Sequence, residues 1–439
     1  MKTTPLLTQI RPTYFSVDCG MAYLIRLSDG RFVLIDSAYG EYDEVDRLYE
    51  LISARNETGK IPTVAAWFFT HPHGDHTGGF IKMSHTHKDK IVVEKVIYNF
   101  PEDMCEKTHD HKSFLEAIKC FGAETVTPHK GDVLHFGGAE FKILFAAEDC
   151  QIRPLNVNET SLSMIMTLGN YSVMWMGDLQ HIGSKIVTDT YKPEELKCDI
   201  LQVGHHGYWG GSFELFAAVD PDIIIWPMPE FRYLDMLAEP YNRFFTSPEN
   251  HARHIFVSGI EENTFDLTAP IEITEPYVPK KTAADFTQKS IRQLGWACIT
   301  GGNMGYDPLD LSFEENSCTL KTRTRRTLLQ MIQRGQVAVS NSYRFTLTMT
   351  PESECDVLGL IYDCPTPTTP DSYTPYSLPH KAGEEMTVVL VVDRKAGEAR
   401  ITVNGKTETL ALRTSDPCDL ILIVKEGRLK ISEAVFENM

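Results

Sequence analysis

The sequence lacks the features that mark secreted and membrane-spanning proteins. Its ten cysteines are scattered and none forms a C-x-x-C pair, so we expect neither a disulfide framework nor a zinc ribbon. No stretch approaches the roughly 20 apolar residues of a membrane helix, and the first residues lack the apolar core of a signal peptide. We therefore predict no membrane association and a reducing, cytoplasmic compartment; a signal segment removed ahead of residue 1 would change the predicted compartment.

The chain is also short of positive charge. Only 42 Lys and Arg residues oppose 60 Asp and Glu residues, for a formal net charge of -18. Non-specific binding to nucleic acid depends on Lys and Arg that neutralise phosphates, so nucleic acid is not an expected partner. Three catalytic signatures are missing as well: a G-x-S-x-G nucleophile turn beside a suitable strand, a Walker phosphate loop and a credible dinucleotide fingerprint. The enzyme classes that depend on them are therefore disfavoured.

The most informative segment that is present runs H-P-H-G-D-H from His71 to His76. It directly follows the apolar run 64–69, which lies between two prolines and is typical of a buried strand. Neutral imidazole and carboxylate are the zinc ligands preferred among groups without sulfur. His71 and His73 alternate by two, so both point the same way in an extended segment, and the glycine before Asp75 allows a turn toward a second metal. The alternative is a chance cluster of surface histidines.

This segment, with the Thr-Gly-Gly that follows it, resembles the metallo-β-lactamase superfamily. The further stretches that resemble this family are the opening strands Met21–Ile25 and Phe32–Asp36, the strand with its turn Met174–Asp178, and the strand with its turn Leu201–Gly207. Together they cover roughly residues 12–268. The resemblance implies an α+β protein in which two β-sheets pack face to face and are covered by helices outside, the αββα sandwich. The N-x-x-S-L element at 158–162 and the His-His-Gly sequence are similar to the DNA-uptake (competence-type) branch.

The resemblance also implies a set of metal ligands. They are His71 and His73 for a first metal, Asp75, His76 and His206 for a second, and Asp178 as the bridge between the two. His206 is preferred over its neighbour because family members commonly place the ligand directly before a glycine. His205 is then a candidate catalytic residue that touches the substrate or donates a proton, or else a supporting residue. Asp75 is the other catalytic candidate, because it can both bind metal and orient the nucleophile.

One ligand of the family pattern is missing. A His is expected on the loop after a middle strand, which we place at Phe141–Phe145, but that loop offers Asn158 and Ser161 and no His. The first metal would then keep an open position, which is the pattern of a catalytic zinc, with water or a weak contact from Asn158 or Ser161. The same gap could mean weak occupancy, which leaves the two-metal mechanism open.

The predicted cofactor is Zn²⁺, one or two ions per chain, with Mn²⁺ or Fe as alternatives. Zinc lowers the pKa of bound water to about 7, and two metals about 3.5–4 Å apart can hold the attacking and leaving oxygens together. We therefore predict a metal-dependent hydrolase that uses zinc-bound hydroxide. Its expected substrate is a small-molecule phosphodiester or other small ester, since phosphorylcholine esterases also resemble this arrangement; a lactone, β-lactam or thioester stays open.

Two domains joined by a linker are expected in the 439 residues. We predict a catalytic domain at 1–268, a linker rich in Pro, Thr and Lys at 269–285, and an all-β sandwich at 286–439. Short strands with polar turns indicate the sandwich, and Asn404-Gly405 is a hairpin-turn signal.

The sandwich has a weak similarity to concanavalin-A-like jelly rolls, a family that often binds glycans. A structural or dimer-forming role is the alternative. The alternative function for the whole chain is a glycan- or protein-binding protein with a degenerate metal domain. The missing His favours that alternative, whereas the otherwise complete ligand set favours the hydrolase.

Overall fold

The structure is a computed structural model that describes most of the chain. The described residues are 3–12, 19–40, 44–102, 108, 110–150, 156–229, 233, 236, 240–246, 254–272, 281–289, 294, 297–300, 303–305, 311–321, 327–331, 342–364, 375–412 and 419–439. The chain divides into two compact units, of which the first comprises 1–230 and 247–276 and the second 231–246 and 277–439. No helix among the described residues is both long enough and apolar enough to cross a membrane.

These limits differ from the predicted ones at two places. Lys281–Ala283, inside the predicted linker 269–285, is a strand that pairs with the last strand of the chain, and residues 273–280 lie outside the described residues. Segment 231–246, predicted within the domain 1–268, groups with the second unit. Local composition could not reveal a pairing partner at the far end of the chain.

The first sheet of the first unit has eight strands. They are β1 (Leu6–Gln9), β2 (Tyr23–Arg26), β3 (Phe32–Ile35), β4 (Thr63–Phe68), β5 (Val92–Val93), β6 (Lys95–Ile97), β7 (Glu124–Val126) and β15 (Asn263–Asp266). Their order is β15-β1-β2-β3-β4-β6-β7, with β5 beside β4. The pair β3 and β4 is parallel, so both strands end at the same edge.

The second sheet has seven strands in the order β14-β13-β12-β11-β10-β9-β8. They are β8 (Val133–Phe136), β9 (Ala139–Phe145), β10 (Ser163–Leu168), β11 (Tyr171–Trp175), β12 (Ile200–Gln202), β13 (Ile223–Trp226) and β14 (His254–Val257). Strands β11 to β14 run parallel to one another. The residues that follow β11 and β12 therefore come together at one edge of this sheet.

Helices cover the outer faces of both sheets. They are α1 (Glu44–Ala54), α2 (Gly74–Thr86), α3 (His111–Phe121), α4 (His181–Thr190), α5 (Pro193–Leu196) and α6 (Phe213–Val219). In β3, Val33 and Ile35 enter the core between the two sheets, whereas Phe32 and Leu34 pack under α1, α2 and α3. A strand buried on both faces needs a continuous apolar run, which explains why β3 and β4 contain so few polar residues. On the other side, α4 packs against β9. The predicted α+β class and helix-covered two-sheet fold are confirmed.

The second unit is rich in strands. They are β16 (Lys281–Ala283), β17 (Ala297–Thr300), β18 (Asn303–Gly305), β19 (Leu311–Glu314), β20 (Ser317–Lys321), β21 (Thr327–Met331), β22 (Ser342–Pro351), β23 (Val357–Cys364), β24 (Pro375–Ser377), β25 (Met386–Asp393), β26 (Glu398–Val403), β27 (Lys406–Ala411), β28 (Asp419–Lys425) and β29 (Arg428–Asn438). A short helix, α7 (Arg243–Thr246), belongs to the same unit.

These strands form two antiparallel sheets that share one core. One sheet runs β19-β20-β29-β22-β25-β26-β27, with β16 beside β29, and the other runs β18-β17-β21-β28-β23-β24. Leu320 and Phe345 of the first sheet belong to the same buried cluster as Leu360 and Leu422 of the second. The Asn404-Gly405 turn joins β26 to β27, and both of its residues have positive φ angles, 46° and 83°, as the hairpin signal predicts. The likeness to concanavalin-A-like jelly rolls stays a prediction.

Candidate metal centre

The predicted ligands lie at strand ends of both sheets of the first unit. His71 and His73 follow β4, and Asp75 and His76 lie in the first turn of α2. Asp178 follows β11 after a tight turn. The ligand candidate after β12 stands in the one-turn segment Gly204–Gly207. The last residues of these strands are buried, and the ligand candidates follow where the strands stop.

One cluster contains four of the predicted ligands, Asp75, His76, Asp178 and His206. Asp75 Oδ2 lies 3.2 Å from His206 Nε2 and 3.5 Å from His76 Nε2. Asp178 Oδ1 lies 3.3 Å from His76 Nε2 and 3.6 Å from His206 Nε2. Two carboxylate oxygens and two imidazole nitrogens thus surround one point.

The second cluster contains His71, His73 and Asp178. His71 Nε2 lies 2.9 Å from His73 Nδ1 and 3.6 Å from Asp178 Oδ2. The two oxygens of Asp178 therefore face different clusters, Oδ1 toward His76 and Oδ2 toward His71. Asp178 therefore lies between the two clusters, and its role as a bridging ligand stays a prediction.

Hydrogen bonds from outside the clusters decide which ring nitrogen faces inward. His76 Nδ1 donates to Asp36 Oδ2 at 2.8 Å, and His206 Nδ1 donates to the carbonyl oxygen of Pro227 at 2.8 Å. In each ring the proton is thereby placed on Nδ1, which leaves the Nε2 lone pair directed into the cluster. Asp36 is itself held by the amide and hydroxyl of Thr70, both at 2.8 Å.

Burial and charge give these groups unusual proton affinities. Burial acts against ionised carboxylates, yet His76 and His206 hold the pKa of Asp178 well below its usual range. Burial likewise acts to lower the pKa of His76, but the carboxylates of Asp178, Asp75 and Asp36 outweigh it and raise that pKa. For His71, burial and the neighbouring His76 lower the pKa well below its usual value. Ionised carboxylates facing imidazoles form a donor set suited to a divalent cation.

Two observations test whether a metal fits here. His76 Nε2, Asp178 Oδ1 and His206 Nε2 are buried and have no hydrogen-bond partner among the described residues, and buried polar atoms normally have one. The four contacts across this cluster measure 3.2–3.6 Å. A tetrahedral ion with bonds of about 2.0–2.2 Å places its ligands about 3.3–3.6 Å apart. The residues present therefore fit a metal ion.

Asp178 is positioned by two polar side chains, those of Gln202 and Ser161. The sequence patterns did not predict a role for Gln202, and they predicted a different role for Ser161. Gln202 Oε1 accepts the amides of Met176 and Gly177, both at 2.8 Å, and so holds the turn ahead of Asp178. Gly177 has φ 55°, and a Cβ there would lie 2.6 Å from Thr70 Cβ, so the turn requires glycine. The sequence feature that could have revealed Gln202 is a lone amide side chain in an otherwise apolar strand.

Ser161, predicted as a possible weak ligand or substrate contact, is used in this positioning. Its Oγ accepts the amide of Asp178 at 2.9 Å, and the residue is fully buried. The bond ties the loop after β9 to the start of the turn after β11. Whether Ser161 also touches metal or substrate stays a prediction.

His205 lies beside the clusters and in neither of them. Its Nε2 is 3.9 Å from Asp178 Oδ2 and 2.9 Å from Asn158 Nδ2. Both His205 and His206 adopt left-handed backbone conformations, with φ 48° and 51°, which are uncommon outside glycine. Because of these two left-handed residues, the neighbouring imidazoles lie in different positions. The imidazole of His206, the preferred candidate, lies in the ligand cluster.

This part of the chain is a helix-covered pair of β-sheets with two candidate metal clusters that share one carboxylate at the strand ends. Residues 19–141 match the model of the metallo-β-lactamase superfamily. The chain carries a domain of that superfamily, as its strand-end motifs predict.

Known proteins similar to this chain include the ComE operon protein 3 of Bacillus subtilis (strain 168), which is 30% identical over 158 residues. That match covers 36% of this chain and 19% of the relative, so the chain spans about a fifth of the relative's length. Among solved structures, the metallo-β-lactamase fold protein YhfI from Bacillus subtilis has 15% identity and a TM-score of 0.36, over 53% of this chain and 90% of that one. CmlA, a diiron β-hydroxylase from Streptomyces venezuelae, has 13% identity and a TM-score of 0.32, over 52% and 46%.

Proposed function

We propose that this protein is a zinc-dependent hydrolase that acts on a phosphodiester or another small ester. The observation that carries the proposal is the four-atom set of Asp75, His76, Asp178 and His206. Its contacts of 3.2–3.6 Å agree with the edges of a zinc tetrahedron. Two nitrogens and two oxygens without sulfur are also a donor set that zinc accepts, and Mn²⁺ or Fe are alternatives for the same ligands.

The residues around the proposed metal site would have different roles in hydrolysis. When bound, zinc would supply a hydroxide nucleophile at neutral pH and would polarise the ester. Asp178 would keep two ions side by side, since each of its oxygens faces one cluster. Asp75 and His205 are partly exposed, each with 19% of its side chain accessible, so these two face the incoming substrate. Asp75 would orient the nucleophile, and His205 would contact the substrate or support neighbouring residues of the site.

The second cluster supports a site with an open position. It offers His71, His73 and Asp178, and three protein ligands with a free fourth position are typical of catalytic zinc. A phosphodiester presents two non-bridging oxygens that can occupy such a position. We therefore favour this substrate class, with lactones and other esters as the next to be examined.

The test combines metal content with turnover. The full chain is purified without chelator or added metal, zinc is counted by elemental analysis, and hydrolysis of bis-p-nitrophenyl phosphate is measured for wild type and Asp178→Ala. Asp189→Ala is the matched control, because Asp189 is an exposed carboxylate that pairs with Lys185 on α4 and belongs to neither metal cluster. Near two zinc ions in wild type and control, with loss of metal and turnover in Asp178→Ala, would support the proposal.

Other outcomes would change the predicted substrate or overturn the proposed function. Two ions without turnover would exclude this phosphodiester and move the search to esters and lactones. If no metal is bound after reconstitution, the proposal of a metal-dependent hydrolase is overturned. The alternative would then be a binding protein with a degenerate metal domain, whose second unit takes up a glycan or a protein.

A further inference from the structure

Four polar side chains form a hydrogen-bonded chain beside Asp178. Asn156 Nδ2 lies 2.9 Å from Gln180 Oε1, and Gln180 Nε2 lies 2.9 Å from His205 Nδ1. His205 Nε2 is in turn 2.9 Å from the Asn158 amide. Neither Asn156 nor Gln180 has a role in the ligand set, so their contact with His205 needs its own explanation.

A backbone amide fixes the direction of this chain. The N–H of Glu159 donates to Asn156 Oδ1 at 3.2 Å, and a backbone amide can only donate. Asn156 must therefore turn its NH₂ group toward Gln180, which accepts through Oε1. Gln180 is left with its NH₂ group facing His205, where it donates to Nδ1. A neutral imidazole has one donor and one acceptor nitrogen, so the proton of His205 lies on Nε2.

This proton position decides how the amide of Asn158 is oriented. As placed, Asn158 Nδ2 faces His205 Nε2, which would bring two donors together. Asn158 Oδ1 is at the same time buried without a hydrogen-bond partner among the described residues. A half-turn of the amide, whose two ends are nearly alike in size, lets Oδ1 accept from His205. The NH₂ group then occupies the buried position now held by Oδ1.

We propose that Gln180, oriented by Asn156, is a positioning residue that holds His205 with its proton on Nε2 and so turns Asn158 Oδ1 toward that ring. Asn158 Oδ1 is then engaged by His205 and is not a metal ligand. Both ring nitrogens of His205 are hydrogen-bonded in this arrangement, so His205 does not donate the proton to the leaving group. That last statement rests on the proposed hydrolase function, whereas the proton position does not.

The surroundings favour a fixed arrangement. His205 has the left-handed φ/ψ pair 48° and 44°, and its amide is held by the carbonyl of Gly177 at 3.0 Å. Strained backbone of this kind persists where the surroundings determine it and is frequent at functional sites. The loop that carries both asparagines is joined to α4, because the Glu159 carboxylate accepts the amides of Ile182 and Gly183, both at 2.9 Å.

The first test reads the proton position directly. The full chain is prepared with ¹⁵N-labelled histidine and zinc, and its imidazole signals are recorded by NMR; His205→Asn identifies the signals of His205. Wild type should show an unprotonated Nδ1 and a protonated Nε2. In Gln180→Glu a carboxylate, which can only accept, faces Nδ1, so the proton should move to Nδ1 and the two shifts should exchange. His181→Gln, an exposed change one residue away, should leave the His205 signals unchanged.

Two results would overturn the proposal at this stage. One is a protonated Nδ1 in wild type, because the hydrogen-bond chain would then run in the opposite direction. The other is a Gln180→Glu protein in which the His205 signals stay as in wild type. Neither readout requires turnover, so a failure of the hydrolase proposal would be recognised separately.

The second test concerns Asn158. Asn158→Ala should retain the full zinc content of wild type, because the Asn158 amide oxygen faces His205 and not a metal. Loss of one zinc ion per chain would show that Asn158 is a ligand and would overturn this arrangement. A wild type that binds zinc and hydrolyses none of the esters tested would contradict the hydrolase and leave the NMR result to decide the positioning.

Discussion

Gln202 should be one of the most sensitive positions of the first unit for stability. Its side chain is fully buried, its Oε1 accepts two backbone amides at 2.8 Å, and its Nε2 donates to the carbonyls of Gly177 and Val203 at 3.1 and 2.7 Å. Gln202→Met keeps the length of the side chain and removes all four bonds. The carbonyl of Gly177 keeps a second donor, the amide of His205, so the main cost falls on the two amides.

The expected loss follows from these two amides. A buried donor left without a partner costs about 1–3 kcal/mol, so Gln202→Met should lower the free energy of unfolding by about 2–6 kcal/mol. Urea unfolding followed by tryptophan fluorescence measures it, because Trp67, Trp175, Trp209 and Trp226 all lie in the first unit. The turn before Asp178 would also lose its support, so zinc content should fall in the same variant.

Gln9→Met is the matched control. Gln9 is also fully buried in the first unit, but its Oε1 accepts no backbone amide among the described residues; it accepts from Asn263 Nδ2, which donates to the carbonyl of Glu261 as well. The control should therefore lose no more than about 1.5 kcal/mol. A Gln202→Met protein as stable as this control, or one within about 1 kcal/mol of wild type, would refute the view that the Gln202 amide holds the turn.

Three further predictions concern the metal centre and its supports. Asp36→Asn places an NH₂ group beside His76 Nδ1 and should weaken zinc binding about 10–100-fold. Competition with a chromogenic chelator measures the zinc affinity, and the control Asp189→Asn should bind zinc as tightly as wild type. Equal zinc affinities of Asp36→Asn and wild type would contradict the role of Asp36. Zinc affinity should fall as the pH is lowered from 8 to 5, because carboxylates raise the pKa of His76 and of His206 despite their burial, so these rings hold protons that the metal must displace. Calorimetry in buffers of different ionisation enthalpy should show proton release on zinc uptake, and an affinity independent of pH would argue against imidazole ligands. Glu159→Ala removes two charge-assisted bonds to the first amides of α4 and should cost about 1–3 kcal/mol of unfolding free energy; a loss below about 0.5 kcal/mol would show that this contact is dispensable.

The ligand candidates were accessible to sequence reasoning because their signal is local. His71, His73, Asp75 and His76 lie within six residues that follow an apolar run, and such a run predicts both a buried strand and the polar strand end after it. Asp178 and His206 follow similar runs. A strand buried on both faces is apolar over nearly its whole length, so the strands and their ends could be located without knowing which strands are neighbours.

The supporting residues were not accessible in this way. Gln180 and Asn156 are ordinary polar residues in the sequence, and Gln202 differs only in standing in an apolar strand. The importance of all three depends on partners from other segments. Gln180 contacts His205 and Asn156, each more than twenty positions away. Local composition predicts a linker at Lys281–Ala283 for the same reason, because this strand pairs with the last strand of the chain.

The sequence by itself determined the chemical types of the candidate ligands, their order along the chain and the apolar strands that end beside them. Only the tertiary structure decided which atoms meet: Asp178 faces one cluster with each oxygen, and His206, not His205, enters the ligand set. The physical reason is that these distances depend on how two sheets pack and on how single turns twist. A left-handed turn at His205 and His206 and a hydrogen bond at each imidazole Nδ1 arise from the surrounding fold, and no local pattern contains them.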